Sequence, residues 1–276
     1  MGQDFLTSNS SNHDGAGIHS ICYSHFHIPP THPRAQSLFT RNMLVDAYRR
    51  GLVVSEGLIA HGRGEAFDYL LGEKTTGAAQ AAIEAATSAL MLSRYPIISV
   101  NGNLAALCAK TVVELSYLIG AKIEVNLFYR TLRRERLIRK ELKSFGAKEV
   151  LGTNSHTKAS IPKLQSERRR VAPNGIMKAD TVLVTLEDGD RTEALAKMGK
   201  TVVAIDLNPM SRTARSANIT IVDNVIRAIP KMIMTVKKFN DLELQQRKIV
   251  MKKMVKEFNN NRNLVESLSI MQGNIA

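Results

Sequence analysis

PIISVNGNLAALC (96–108), with KIEVNLF (122–128) a short way behind it, holds two apolar runs separated by a polar turn and a stretch of helical period. IISV (97–100) is short, β-branched and bounded by Pro96 and NGN, which reads as a buried strand rather than helix. Residues 104–119 read as a helix, and 122–128 as the next strand. Strand, helix and strand within about thirty residues make a βαβ unit. Strands apolar along nearly their whole length are covered on both faces, as in a parallel sheet. The same runs recur downstream as DTVLVTL (180–186), TVVAIDL (201–207) and NITIVD (218–223), with helices expected near 191–198 and 224–239. Upstream, 35–50 reads as a helix ended by Gly51, and GLIA (57–60) as a short strand running into HGRGE. Residues 75–94 read as a helix with Ile83, Ala86 and Leu90 on one face. A charged helix is expected at 131–145, and a loop at about 152–178 containing Pro162, Pro173 and Gly175. The expected class is α/β, a mainly parallel sheet with helices on both faces.

The ends differ from this middle. Residues 1–27 are polar and lack apolar periodicity, so disorder is expected. The domain is placed at 28–240. Residues 241–276 read as a helical C-terminal extension, with Met251, Met254, Val255 and Phe258 at helical spacing for core packing or subunit contact.

Of 276 residues, 44% are hydrophobic, enough for a sizeable core. No run of about 18 apolar residues and no charged-then-apolar leader is seen, and Cys22 and Cys108 give no disulfide framework. A cytoplasmic protein without a membrane partner is expected. The net charge of +13 sits in two runs: 131–170 has 12 basic and 4 acidic residues, 231–276 has 9 and 4. These are read as solvated helix faces and a loop rather than a nucleic-acid footprint, since aromatics are sparse (5%, no Trp) and single-stranded binders rely on stacking.

In open parallel sheets ligands bind where loops leave the carboxyl ends of the strands. The unusual polar sequences fall at such places: AHGRGE (60–65), NGN (101–103), NLFYR (126–130), LEDGDR (186–191) and DLNPMSRT (206–213). HGRG offers backbone amides and an arginine fork suited to an anion. Neither a Walker loop nor a strand leading into GxGxxG occurs, which counts against a nicotinamide-dependent oxidoreductase. Asp206, at the end of TVVAID, has the position of a ribose-binding carboxylate. Asp190 is placed to cap a helix starting near Arg191, leaving Asp188; the two carboxylates are a candidate Mg²⁺ pair.

GLIAHGRGEAFDYLLGEKT (57–75), PIISVNGNLAALC (96–108), AKIEVNLFYRT (121–131), LEDGDRTEAL (186–195) and IDLNPMSRTA (205–214) closely resemble archaeal-type phosphopantothenate synthetase, also called 4-phosphopantoate–β-alanine ligase. The resemblance runs from about Ile28 to Pro230 and implies a Rossmann-like homodimer. It implies ATP-dependent ligation of 4-phosphopantoate and β-alanine to 4'-phosphopantothenate in coenzyme A biosynthesis, through an acyl-adenylate with release of AMP and pyrophosphate. Matched motif by motif, the family's ATP-binding positions are Arg41, Arg63, Asp206, Leu207, Asn208, Arg212, Thr213, Asn224 and Val225. Strand-end placement adds Asn101, Asn103 and Arg130 for the acid substrate. Arg63 and His61 are the expected catalytic residues, His61 assisting proton loss from the incoming amine. Mg²⁺ is expected on the phosphates. An oxidoreductase and a basic nucleic-acid-binding protein are the rival readings.

Overall fold

The computed structural model describes residues 28–29, 31–32, 34–153 and 158–274. The reading of 1–27 therefore lies outside the described residues. Its elements, in chain order, are α1 (Ala35–Arg49), α2 (Ser55–Leu70), α3 (Gly77–Leu92), β1 (Pro96–Val100), α4 (Gly102–Ile119), β2 (Lys122–Val125), α5 (Leu132–Ser144), β3 (Val150–Leu151), β4 (Ala159–Ser160), β5 (Arg170–Val171), β6 (Thr181–Thr185), α6 (Gly189–Lys197), β7 (Thr201–Ile205), α7 (Arg212–Ser216), β8 (Ile219–Ile221), α8 (Val225–Asn240), α9 (Leu244–Glu257) and α10 (Asn260–Gly273).

Six strands form one parallel sheet in the order β3-β2-β1-β6-β7-β8. Leaving aside the small β4–β5 hairpin, this is the 3-2-1-4-5-6 order of a Rossmann-type sheet, and the order reverses between β1 and β6. Alternate residues of each strand serve opposite faces. Ile98, Val100, Leu183, Val203 and Ile205 join the larger core with α3, α4 and α8. Ile97, Val182, Val184, Val202 and Ala204 join a second core, which includes Ile161, Leu164, Ile176 and Leu195. That two-sided burial is why the strands are mainly apolar, with buried Ser99, Glu124 and Thr220 among the exceptions.

α4 is long and apolar enough to cross a membrane by length and composition, but 56% of that window is buried, and the helix packs on α8 as a core helix. Its ends are set locally. Asn101 caps it, accepting from the Leu104 amide at 3.0 Å, and Gly120 ends it at φ +67, a conformation that suits glycine.

One sequence expectation about the elements needs correction. GLIA is no strand: residues 55–70 form one helix, α2. Three glycines and an apolar tetrad obscured it, since glycine is a poor helix former. Packing decides the matter. At Gly57 an added Cβ would lie 2.5 Å from Asn103 Oδ1, and at Gly64 it would touch Leu207. The C-terminal segment packs on the domain, as the helical spacing of its apolar residues suggests. α9 and α10 pack on α3, and Leu264 and Met271 share a cluster with Leu71, Leu207 and Val222. Asn260 holds the Thr220 amide (2.7 Å) and the Ala214 carbonyl (2.9 Å), so α10 braces β8 and α7.

Candidate active site

A cavity of about 250 Å³ opens where β1 and β6 diverge. That is the reversal of strand order, where ligands of open α/β sheets bind. Asn101–Asn103 after β1, Leu127–Tyr129 after β2, and Leu186 with Asp188 after β6 form its floor and sides. α2 closes it with Glu56, Gly57, Ala60 and Arg63; Arg134 of α5 and Arg168 complete the wall. Three arginines against two carboxylates favour an anionic occupant.

The turn at the strand reversal is built from polar side chains. Asn101 Nδ2 donates to the Thr185 carbonyl at 2.7 Å, tying the end of β1 to that of β6. Leu186 follows with φ +47, a left-handed conformation costly for such a side chain and characteristic of functional loops. Asn103 Nδ2 donates to the Gly57 carbonyl at 2.8 Å and so fixes α2 over the opening. Gly102 is required: a Cβ there would lie 2.5 Å from the Leu52 carbonyl and 2.8 Å from Arg134 Nη2. Asn101 and Asn103 thus line the cavity, but their amide donors are occupied in constructing it.

Beneath this floor lies a buried charge network. Glu187 sits between Arg168 and Arg191, in contact with both guanidiniums. Arg168 also faces Asp188 at 3.3 Å, and Arg191 donates to Ser99 Oγ at 3.3 Å. Arg191 is completely buried and Arg168 is 6% exposed. Burial pushes both guanidiniums down to about 10, so each stays charged at neutral pH. Glu124, also fully buried, accepts from the Ala172 (2.8 Å) and Ile176 (2.6 Å) amides; burial raises its pKa, opposed by those amides and by Arg191 and Arg130.

Of the expected substrate residues, Arg130 is corrected. Its side chain is 3% exposed, pairs with Glu135, and donates to the Arg170 (2.8 Å) and Gly152 (2.7 Å) carbonyls. It fastens the loop before β4 and β5 and does not line the cavity. Of the expected Mg²⁺ pair, one carboxylate is already engaged. Asp188 begins α6 and is engaged by Arg168, while Asp190 is exposed in the first turn of α6. Among the described residues no group of three His, Cys, Asp or Glu is arranged for a metal.

α2 divides the remaining expected residues. Arg63 faces the cavity, whereas His61, two residues and roughly 200° round the helix, faces a second cavity with Glu65, Asp68, Asn224 and Arg227. The expected catalytic pair therefore does not act from one side. His61 is buried, and that burial lowers its pKa against the pull of Glu65 and Asp68, so the ring is neutral at pH 7. Arg41 holds Glu65 through Nε at 3.0 and 3.1 Å and reaches Tyr69 Oη at 2.9 Å. Asn224 caps α8 and donates to Asp68 Oδ2 at 2.9 Å, with Val225 buried behind it.

Asp206 shapes the loop after β7. Its carboxylate accepts from the Asn208 amide (2.9 Å) and Ser211 Oγ (2.5 Å). Burial raises its pKa, and Arg63 is near enough to counter that electrostatically. Leu207 packs beneath α2, Thr213 Oγ1 donates to the Glu187 carbonyl at 2.7 Å, and Arg212 is exposed, 3.5 Å from Glu193. Arg63 and the 206–213 loop are brought together; Arg41, Asn224 and Val225 stand across α2 from them.

Arg134, Arg168, Glu56 and Tyr129 were missed as cavity residues. Arg134 and Arg168 belong to the basic run 131–170, read as solvated. No spacing in RRR (168–170) distinguishes the inward residue; only the return of this segment beneath the β2 end, where Asn126 Nδ2 donates to the Arg168 carbonyl at 3.2 Å, does so.

A Rossmann-type sheet with an arginine-walled cavity at its strand reversal defines a protein that handles small anionic ligands. A family model described as phosphopantothenate/pantothenate synthetase matches residues 78–274, well over half the chain and inclusive of α9 and α10. Proteins named 4-phosphopantoate–β-alanine ligase are similar throughout. That of Thermococcus kodakarensis is 49% identical over 242 residues, covering 87% of this chain and 90% of the relative. That of Methanosarcina mazei is 49% identical over 245 residues, covering 89% and 94%. That of Methanospirillum hungatei is 50% identical over 202 residues, covering 73% and 82%. The chain belongs to the phosphopantothenate/pantothenate synthetase family. The oxidoreductase and nucleic-acid-binding readings are set aside.

Proposed function

We propose that this chain is an ATP-dependent ligase of coenzyme A biosynthesis, joining 4-phosphopantoate to β-alanine to give 4'-phosphopantothenate, AMP and pyrophosphate. The observation that carries this reading is the cavity at the β1–β6 divergence with Arg63, Arg134 and Arg168 on its walls. Its modest volume suits a compact, doubly anionic acid.

A carboxylate oxygen of the acid attacks the α-phosphorus of ATP; the new C(O)O–P bond forms as the bond to pyrophosphate breaks. The β-alanine amine, having lost a proton, attacks the acyl carbon, and AMP leaves with the electron pair of the mixed anhydride. Two anions must approach in the first step, so positioning and electrostatic stabilisation dominate. Arg63 stands between the acid cavity and the 206–213 loop, and its guanidinium serves the charge developing at the α-phosphate. Asp206, Leu207, Asn208, Arg212 and Thr213 form the nucleotide side. Asn101 and Asn103 frame the acid. Arg41, Asn224 and Val225 contact nucleotide only from a second surface, which favours the implied homodimer; the exposed apolar side chains Val45, Tyr48 and Ile59 on α1 and α2 offer an area for it. Light scattering at about twice 30.5 kDa supports this, and a 30.5 kDa particle contradicts it.

With Asp188 paired to Arg168 and no group of three ligating side chains among the described residues, Mg²⁺ would be carried chiefly by the ATP phosphates, and no step is assigned to it. Cytoplasmic location follows from the same reading, since the substrates are soluble metabolites. Incubation with ATP, 4-phosphopantoate and β-alanine is expected to give AMP in equal amount to product. ADP in place of AMP would replace the adenylate by an acyl phosphate.

A further inference from the structure

His61 lies across α2 from Arg63 and takes no part in the attack on ATP. It is 8% exposed, lines the second cavity, and forms no hydrogen bond or ion pair with another described residue. Burying a polar ring without a partner costs free energy, so a ligand in the cavity is its natural complement. Burial keeps the ring neutral against the pull of Glu65 and Asp68, which leaves a nitrogen lone pair able to take a proton.

The rest of the wall carries both signs of charge. Glu65 is taken by Arg41, and Asp68 by Arg227 and Asn224. Two charges are left over. Glu73 has φ +51, a conformation uncommon for a residue with a side chain, and its carboxylate lines the cavity without a hydrogen bond or ion pair to another described residue. Arg34 gives one donor to Tyr69 Oη at 3.1 Å and meets no carboxylate among the described residues. A spare carboxylate, a spare guanidinium and a neutral imidazole around about 220 Å³ match a small zwitterion that has to lose an ammonium proton. The first cavity does not match one, because its three arginines disfavour a cation.

Resting on the ligase reading, we propose that the second cavity is the β-alanine subsite and that it serves the reaction centre of the partner subunit. Glu73 holds the ammonium, Arg34 the carboxylate, and His61 is the base. The partner enters through distance. An attacking amine must come within about 3–3.5 Å of the acyl carbon, whereas within one subunit α2, about 10–12 Å across, stands between the two cavities. In a dimer where Arg41 and Asn224 reach the nucleotide of the other chain, the cavity they flank opens on that chain's adenylate. His61 accepts one ammonium proton, and the nitrogen lone pair forms the C–N bond as the C–O bond to AMP breaks. AMP leaves with that electron pair, and the second nitrogen proton passes to solvent.

Two rates of the full chain separate the steps. Exchange of labelled pyrophosphate into ATP, with 4-phosphopantoate but no β-alanine, reads adenylate formation alone; product formation with β-alanine reads both steps. His61→Gln is expected to keep exchange within about threefold while product formation falls about a hundredfold, the usual worth of a general base. Glu73→Gln is expected to raise the β-alanine KM about tenfold at unchanged exchange, the loss of one charge-assisted bond. Glu73 is exposed, so this variant carries the comparison if His61→Gln fails to fold. Exchange and product formation falling together, or neither changing, overturns the proposal. Wild-type protein without exchange would defeat the underlying adenylate reading instead. Mixing His61→Gln and Arg63→Ala chains tests the role of the partner. Random pairing gives hybrids with one complete site of two, so about a quarter of the wild-type rate should return. A mixture no faster than the separate variants overturns the shared arrangement.

Discussion

Arg63→Ala is expected to lower kcat/KM about a hundredfold with little change in melting temperature, since removing one preorganised donor to a developing charge typically costs that much. Arg63 is exposed on α2 and forms no hydrogen bond or ion pair with another described residue. Nothing in the fold therefore depends on its guanidinium. Asp206 interacts with it electrostatically at longer range, and the cavity opens on its other side. An arginine left uncommitted between two anion-accepting surfaces is suited to act when both are filled. Steady-state rates with all three substrates check this, and a variant of near-normal rate removes Arg63 from the scheme.

Arg191→Met should have the opposite profile: a large loss of stability. Arg191 is fully buried, contacts Glu187 and donates to Ser99. Methionine fills much of the volume but leaves Glu187 with Arg168 alone and removes a favourable positive charge from beside Glu124. Breaking a buried pair by deleting one partner costs about 3–5 kcal/mol, or roughly a 10 °C fall in melting temperature for a domain of this size. The pH dependence has a definite sign. Glu124 already has a folded pKa above its ordinary 4.5 through burial. Stability from such a group is full below the unfolded pKa and is lost as pH rises through the folded one. Without Arg191 the folded pKa rises further, so the deficit should be larger at pH 7 than at pH 5. Thermal melts at both values decide it; an equal deficit would remove Glu124 from the explanation.

The sheet was legible because its strands are buried on both faces, which leaves short, β-branched apolar runs. IISV, TVLVT and TVVAI sit where their composition puts them. α2 was not legible, because its glycines are chosen for close approach to Asn103 and Leu207, a tertiary demand that masks helical propensity. The helix places Arg63 and His61 on different cavities, a separation that a strand-to-loop reading of AHGRGE conceals. Strand-end polar residues were found readily, yet what Asn101 or Arg130 does with its donors depends on neighbours 84 and 40 residues away. Arg168 lay among like charges, and only burial distinguishes it. Charge runs are read as solvated because most are; the exception here is set by where the chain returns beneath β2.

The most direct measurement is a crystal structure of the protein with 4-phosphopantoate and a non-hydrolysable ATP analogue. The account predicts the acid in the cavity between β1 and β6, its carboxylate toward Arg63 and the α-phosphate, with the nucleotide over the loop at 206–213. Acid bound instead in the second cavity, beside His61 and Arg227, would contradict it.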